Sequence, residues 1–429
     1  MTASQPGLRN RGPLVRSISG GVLDAGFASL GTFAVGIVAA RYLDPAALGA
    51  YALFFAAFTA LTVFATEGIF VPAEARSVSR PVSDRRHIVR KAVPVGLGST
   101  IVVLPGLLIA YVLVPDSVPQ SVTVPLAITT AATVIVAPLQ EHVRRVCHLA
   151  RVSWRASVVS IVQFVVIVAS LLSMLALDVA VAWIPFGALA IANTVSLVAG
   201  LALLAYDRRG ELGLELTAAD LVRSGRWLVT AAFIRSGSAF VASALIAQLA
   251  SAEALGYAEA ARVIGRPVLV IAMGLEAVLG PRSVEAALDR DRTRARRIST
   301  GFTAILAGAA VPYILLFGWE WPWNPALAFI PTAYVVAGLV PLQVVSEFLG
   351  GVVVPYRMEL IGARKETALL APEAVGAGLQ VAVAAAAGTI GAFARPIGAL
   401  AMRSVQLVGY RAAASRVYRV PNEAEPIGR

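Results

Sequence analysis

Residues 46–66 read AALGAYALFFAAFTALTVFAT, 21 positions without a single charged side chain. A helix of that length, rising about 1.5 Å per residue, spans the roughly 30 Å hydrocarbon layer of a bilayer. Comparable apolar runs recur from Ile18 to Gly409, each bounded by charge or by Pro and Gly. These runs are apolar on every face, whereas barrel strands alternate. The sequence therefore predicts an all-α polytopic membrane protein.

The overall composition agrees with a chain that lies mostly in lipid. Of its 429 residues, 58% are hydrophobic and 14% are charged, compared with about 25% charged in soluble domains. The formal net charge of +11 reflects basic residues gathered at helix ends, which is typical of membrane topology, so nucleic acid is not expected as a partner. Cys147 is the only cysteine, which excludes an intramolecular disulfide. No Walker motif, Gly-rich phosphate loop or Ser-His-Asp arrangement is visible, and we expect neither a cofactor nor an enzyme.

The spacing of the apolar runs predicts about twelve transmembrane helices. They are expected at 18–43, 46–72, 92–114, 121–141, 156–177, 181–205, 226–250, 254–281, 299–318, 324–350, 367–388 and 391–412. The domain organisation that follows is a disordered cytoplasmic tail at 1–13, a six-helix bundle at 14–206, a cytoplasmic linker at 207–220, a second six-helix bundle at 221–412 and a cytoplasmic tail at 413–429.

The basic residues are distributed very unevenly between the two sides. If both termini lie on one side, the segments on that side contain 31 of the 36 Lys and Arg residues, and only Arg41 and Arg395 lie on the other. Basic segments stay in the cytoplasm during insertion. We therefore predict a multi-pass protein of the bacterial inner membrane with both termini cytoplasmic. The external connections are only a few residues long and leave no room for an exported catalytic domain.

The two halves of the chain repeat each other. A shift of 207 positions brings Ala47-Leu48-Gly49 onto Ala254-Leu255-Gly256 and aligns the third and ninth helices. A Pro-Leu-Gln triplet at 138–140 recurs at 341–343, a shift of 203. Because each unit has an even number of helices, the two bundles are expected to be related by a parallel pseudo-two-fold axis along the membrane normal, an arrangement found in many transporters.

One segment resembles a known family. Ala39-Ala40-Arg41-Tyr42-Leu43-Asp44-Pro45, followed by Leu48-Gly49-Ala50-Tyr51, is similar to the first helical hairpin of the polysaccharide flippases of the MOP superfamily. The segment from Leu139 to Ile167 resembles their fourth-to-fifth helix passage, and the twelve-helix layout extends the likeness over nearly the whole chain.

This resemblance implies a transporter with a MATE-like fold. Its expected activity is to flip an undecaprenyl-diphosphate-linked oligosaccharide across the membrane by alternating access, for envelope polysaccharide assembly. The implied partners are the lipid-linked glycan, membrane lipids, a coupling proton or sodium ion and glycan-assembly proteins. Two alternatives stay open, namely a MATE-like cation or drug antiporter and a transport-inactive membrane scaffold.

Ionisable residues within the predicted helices are the best functional candidates, because each is costly in lipid unless it faces a polar interior. Arg235, Glu259, Arg262 and Arg266 are predicted to bind substrate, and Asp24, Glu67 and Glu347 are candidates for ion coupling.

Glu259, Arg262 and Arg266 share one helix face at i, i+3 and i+7. An anion between the two guanidiniums would relieve their repulsion, and a diphosphate fits. The alternative for Glu259 and Arg262 is a structural ion pair. The alternative for Asp24 is a pair with an arginine of the neighbouring half.

The three histidines are interpreted differently. His87, His142 and His148 lack partners at metal-ligand spacing, and we expect them in solvated loops without a metal.

Overall fold

The computed structural model describes residues 11–77, 81–82, 85–205, 217–318 and 321–418, and within these ranges the chain is helical, with no strand. Twelve long helical segments follow one another. They are α1 (Arg11–Tyr42), α2 (Pro45–Ser77), α3 (Arg85–Val112), α4 (Gln120–Leu149), α5 (Ser153–Ala176), α6 (Val181–Ala205), α7 (Ala218–Leu249), α8 (Ala252–Leu288), α9 (Arg292–Phe317), α10 (Leu339–Gly362), α11 (Glu366–Ala385) and α12 (Ala394–Val417).

Length and composition identify most of these segments as membrane spans. In the described part of the chain, ten helices are long and apolar enough to cross a bilayer, and α8 makes an eleventh if its two parts, which meet at a 48° bend, form one span. The 24-residue α12 is more polar, but it packs against α10 and α11 and so completes the layout. The prediction of an all-helical membrane protein is confirmed.

The helices form two bundles with the same order of neighbours. In the first, α1 packs on α5, α5 on α6, α6 on α4, and α4 on α2. In the second, α7 packs on α11, α11 on α12, α12 on α10, and α10 on α8. The sequence repeats here as well, since PFGALA at 185–190 near the start of α6 corresponds to PIGALA at 396–401 near the start of α12. The predicted arrangement of twelve helices in two bundles fits this packing.

Equivalent caps begin the second helix of each bundle. The side chain of Asp44 accepts a hydrogen bond from the Ala47 amide at 2.8 Å, and Ser251 accepts one from Ala254 at 3.1 Å. Asp and Ser are favoured at this position because they satisfy an amide that lacks an intrahelical partner. Each residue of one cap lies 207 positions from its counterpart. The two halves of the chain therefore repeat this capping hydrogen bond as well as the sequence.

The bundle has two ends, which differ in charge. We call the end that carries the arginine-rich connections, such as 289–292 between α8 and α9, the basic end, and the end where α2 and α8 begin the opposite end. At the opposite end the bundles touch through backbone. A Cβ on Gly49 would lie 1.9 Å from the carbonyl oxygen of Ala252, and one on Gly256 would lie 2.0 Å from that of Pro45.

Hydrogen bonds between the bundles reinforce the contact at the opposite end. The Tyr334 hydroxyl donates to the Leu43 carbonyl at 2.6 Å, and Gln248 Nε2 donates to the Leu113 carbonyl at 2.8 Å. Towards the basic end, α7 stays against α2, since a Cβ on Gly225 would lie 2.6 Å from the carbonyl oxygen of Gly68. The two bundles therefore touch through backbone at the opposite end, and α2 and α7 also remain in contact towards the basic end.

The predicted tenth helix was misplaced. The sequence predicted 324–350, whereas α10 begins at Leu339 and ends at Gly362. Residues 325–334 form two short 3₁₀ turns instead. Pro325 and Pro331 lack amide donors, and Gly338 adopts a left-handed conformation with φ 79°, which glycine accommodates without strain. These residues delay the start of the helix.

Several other helices extend further than predicted because charged residues continue them. α4 runs to Leu149 rather than to 141, and α9 begins at Arg292 rather than at 299. α1 begins at Arg11, within the predicted tail 1–13, α7 begins at Ala218, within the predicted linker 207–220, and α12 continues to Val417. Of the predicted tails and linker, residues 1–10, 207–216 and 419–429 lie outside the described residues.

Candidate functional site

A cavity of about 330 Å³, lined by both apolar and polar side chains, lies within the first bundle and extends to α8. Its walls come from α1, α2, α4, α5, α6 and the segment Arg266–Met273 of α8. The lining of α2 starts at Phe55, about 9 Å along the helix from Gly49, and Arg266 lies about 15 Å from Gly256 at about 1.5 Å per residue. The cavity therefore lies on the basic-end side of the contact that closes the opposite end.

Two arginines and one glutamate supply the ionisable groups of the lining, namely Arg144, Arg266 and Glu141. Threonine and serine hydroxyls and three amide side chains supply most of its other polar groups. If all three ionisable groups are charged, the lining carries an excess of one positive charge. The lining thus combines a small excess of positive charge with hydroxyl and amide groups on a largely apolar surface.

Glu259 lies at the centre of an ion-pair cluster beside the cavity. It is fully buried and accepts hydrogen bonds from Arg262, whose Nε lies 2.8 Å from Oε2, and from Arg395, whose Nη1 lies 2.7 Å from the same oxygen. The sequence had placed Arg395 at the exposed outer side, but its side chain is only 14% exposed. Arg262 and Arg395 thus neutralise a buried carboxylate between α8 and α12.

Arg266 differs from its neighbour Arg262. Among the described residues, no acceptor lies within hydrogen-bonding distance of its guanidinium, which instead lies over the Phe55 ring at 5.8 Å from the centroid. Arg262 lies over the same ring at 4.5 Å. An arginine at membrane depth without a hydrogen-bonding partner is costly unless water or an anion supplies one. Arg266 is therefore the arginine of α8 that is available to a ligand.

Asp24 lies in a second cluster, in the first bundle. Its carboxylate accepts from Arg144 at 2.8 Å and from Ser160 at 2.5 Å, and His148 Nε2 lies 2.9 Å away. Arg144 also binds Glu141. Asp24 thus pairs with an arginine of its own bundle, not with one of the neighbouring half as the alternative held. Its partners join α1 to α4 and α5.

Arg235 lies in the second bundle and does not line the cavity. Its Nη1 donates to Glu373 at 3.0 Å, and Glu373 also accepts from Gln406 at 2.7 Å and from the Tyr410 hydroxyl at 2.6 Å. Glu373 is buried. The structure therefore does not bring Arg235 together with Arg262 and Arg266.

The two remaining candidates have contrasting surroundings. Glu347 is buried and accepts from Arg403 at 2.9 Å and from Gln343 at 2.7 Å. Glu67 lies in a π-helical turn, Thr66–Phe70, within α2. In the described part of the chain, no donor binds the Glu67 carboxylate. Glu67 is thus the coupling candidate whose protonation would break no side-chain hydrogen bond seen in this structure.

The repeat relates charges of opposite sign. Under the shift of 203, Gln140 corresponds to Gln343 and Arg144 corresponds to Glu347. Arg144 lines the cavity of the first bundle, whereas Glu347 is bound to Gln343 and Arg403 within the second.

All three histidines lie in helical segments rather than in solvated loops, so that interpretation was wrong, and His87 is buried at the start of α3. His142 lies within α4, is 1% exposed, stacks on Phe70 at 4.2 Å and contacts Glu74 at 2.8 Å. His148 lies within α4 beside Asp24. Over the described ranges, no group of three His, Cys, Asp or Glu side chains is arranged to hold a metal ion.

The sequence could not indicate these partners because they lie on other helices. Glu141, Arg144 and His148 were assigned to a helix end and its loop, since charge usually marks the end of an apolar run. The available signal was the i, i+3, i+7 spacing of these three residues, which places them on one face if the helix continues.

Solved structures with the same architecture are transporters. An inward-facing structure of a multidrug resistance MATE family transporter of the MOP superfamily matches with a TM-score of 0.67 and 16% identity, over 92% of this chain and 96% of that one. An outward-facing structure of a transporter of the same description gives 0.68 and 17%, over 95% and 97%. The chain has the MATE fold.

A third MATE-fold neighbour concerns the polarity of the pocket. It is a MOP superfamily transporter from Pyrococcus furiosus. The reverse polarity of its binding pocket is described as suggesting a different function. It matches with a TM-score of 0.63 and 16% identity, over 95% of this chain and 96% of that one. No family model and no curated protein matches the sequence.

Proposed function

We propose that this chain is a transporter that moves an anionic, glycan-bearing lipid, of the undecaprenyl-diphosphate-linked oligosaccharide class, across the bacterial inner membrane by alternating access. The observation that best supports this proposal concerns Arg266. This residue lines the cavity, and its guanidinium has no hydrogen-bonding partner among the described residues. A diphosphate supplies oxygens for bidentate, charge-assisted hydrogen bonds to this group. In this proposal Arg262 is mainly the ion-pair partner of Glu259, and Arg235 is the ion-pair partner of Glu373.

Alternating access is supported by the closed contact at the opposite end and by the cavity on the basic-end side of it. The fold is compatible with both states, since the MATE-fold neighbours include an inward-facing and an outward-facing structure. With the basic end in the cytoplasm, the present conformation would load substrate from the cytoplasmic side. Glycan-assembly proteins would supply the loaded carrier there.

A cation or drug antiporter is the second candidate, and one observation favours it. Glu67 has no donor partner in the described chain and follows Thr66, a residue of the cavity lining. An organic cation would require such a carboxylate. The excess positive charge of the lining argues for the anion instead, and the reversed pocket polarity described for the Pyrococcus furiosus neighbour shows that a MATE fold is compatible with more than one pocket charge.

The test compares an anionic, a neutral and a cationic ligand. Purified protein is titrated with undecaprenyl diphosphate, with undecaprenol, which lacks the phosphates, and with ethidium as an organic cation. We expect saturable binding of the diphosphate only. Arg266→Ala should abolish most of it and Arg266→Lys should keep part, because lysine retains the charge without the planar fork.

The matched control is Arg282→Ala, which removes an exposed arginine near the basic end of the same helix. It should bind like the parent protein. Tight ethidium binding without diphosphate binding would contradict the proposal and support the antiporter. Binding of neither, with glycan export unaffected by Arg266→Ala in cells, would support the scaffold.

A further inference from the structure

The amide side chains of three successive helices form a hydrogen-bonded row in the cavity wall. Gln140 Nε2 on α4 donates to Gln163 Oε1 on α5 at 3.4 Å, and Gln163 Nε2 donates to Asn193 Oδ1 on α6 at 2.6 Å. All three side chains line the cavity although each residue is less than 10% exposed. We call Gln140, Gln163 and Asn193 the amide row.

The two ends of the amide row are unsatisfied. Among the described residues, neither Nδ2 of Asn193 nor Oε1 of Gln140 has a hydrogen-bond partner, and neither atom is fully enclosed. Unsatisfied polar groups at membrane depth are costly, and a ligand in the cavity would satisfy both the open donor and the open acceptor. Both atoms belong to residues that line the cavity.

The equivalent position in the second bundle is closed internally. Gln343, which corresponds to Gln140, donates to Glu347 at 2.7 Å, and Glu347 is bound to Arg403. The repeat therefore provides a comparison in which the same glutamine is satisfied by charged neighbours. Gln140 lines the cavity, whereas Gln343 donates to a buried carboxylate.

We infer that the amide row is a subsite for the neutral, hydroxyl-rich part of the substrate, separate from the anion subsite at Arg266. This inference rests on the proposed function and deepens it. Each sugar hydroxyl both donates and accepts hydrogen bonds, so one sugar residue satisfies the Asn193 donor and the Gln140 acceptor together. At about 330 Å³ the cavity is at the small end of the usual range of about 300–1,000 Å³ for ligand sites. The row therefore selects the first sugars beside the diphosphate.

The experiment measures binding of three probes to the purified full-length protein: undecaprenyl diphosphate, the same carrier bearing one galactose, and the same carrier bearing one N-acetylglucosamine. The parent protein should bind at least one sugar-bearing carrier more tightly than the bare one. Asn193→Ala should remove that advantage, a loss of about tenfold as expected for one or two neutral hydrogen bonds. Its affinity for the bare carrier should not change.

Two further variants separate ligand binding from folding. Asn193→Ser keeps a small polar group if the alanine variant does not fold, and it should show the same selective loss. Thr130→Val is the matched control, because Thr130 is a buried polar residue of α4 whose hydroxyl has no partner among the described residues and which does not line the cavity. It should leave all three affinities unchanged.

The outcomes distinguish the two proposals. Equal binding of bare and sugar-bearing carriers by the parent protein, or an equal loss for all probes in the Asn193 variants, would overturn the amide-row subsite while leaving the transporter proposal intact. Failure of bare undecaprenyl diphosphate to bind, or indifference of that binding to Arg266→Ala, would overturn the proposed function itself.

Discussion

Gly49 and Gly256 make reciprocal contacts at the opposite end of the molecule. Gly49 lies against the carbonyl of Ala252, and Gly256 lies against the carbonyl of Pro45. The same shift of 207 relates both pairs, so each contact is the repeat of the other. Such close approach of two backbones is possible because glycine has no Cβ, a feature common at helix interfaces in membranes.

The first prediction concerns this contact. Gly49→Ala and Gly256→Ala should each weaken closure at the opposite end, because the new Cβ would overlap a carbonyl oxygen. Spin labels on Ser117→Cys and Thr389→Cys, one in each bundle near that end, should report longer distances than in the parent protein. Gly98→Ala is the control, since open space surrounds Gly98. Unchanged distances in both glycine variants would show that the contact does not hold the closed state.

The second prediction concerns the buried cluster around Glu259. Glu259→Gln should lower the free energy of unfolding by about 3–5 kcal/mol, because Arg262 and Arg395 would lose their shared counter-charge. Thermal unfolding in detergent measures the change. Glu285→Gln removes one partner of an exposed pair with Arg294 and should cost at most about 1 kcal/mol. Equal stability of the two variants would contradict a structural role for the cluster.

The third prediction separates the coupling candidates. Asp24→Asn should lower thermal stability, because Arg144 and His148 would lose a carboxylate that joins three helices. Glu67→Gln should leave stability near that of the parent protein, since no donor in the described chain binds Glu67, but it should remove the dependence of transport on a proton or sodium gradient. Transport by Glu67→Gln with an unchanged ion dependence would exclude Glu67 as the coupling group.

The fourth prediction concerns orientation. In intact cells, a membrane-impermeant maleimide should label Ser117→Cys, in the connection between α3 and α4, and should not label Asp289→Cys at the basic end. Both positions are exposed, and the native Cys147 is fully buried, so the parent protein provides an unlabelled control. The reverse pattern would place the basic end outside and contradict the predicted topology.

The presence of the helices could be predicted from the sequence because the signal for each helix, a run of apolar residues, is local. A run of apolar residues such as 46–66 must be helical in lipid wherever it packs. The same reasoning failed at Pro325 and Pro331, where the residues are apolar enough for a span but the backbone cannot continue a helix. It also ended α4 too early at Glu141, since charge was taken to mean solvent.

The sequence was less informative about the candidate site, because pairing between helices is a long-range property. The depth and shared face of Glu259 and Arg262 followed from helical spacing, and so did the possibility of their ion pair. The role of Arg395, which lies 136 residues away and on another helix, did not. The amide row was not recognised either, because isolated Gln and Asn residues carry no signal until their helices are placed side by side.

The exchange of Arg144 for Glu347 at equivalent positions has a consequence for the ancestry of the two bundles. If both descend from one duplicated segment, the copies have since taken on different duties. The first bundle lines the cavity and places Arg144 on its wall, whereas the second holds Glu347 against its own Arg403. The halves are therefore no longer interchangeable. A chain assembled from two copies of the first bundle would carry Arg144 twice but would lack Arg266, and one assembled from two copies of the second would lack Arg144.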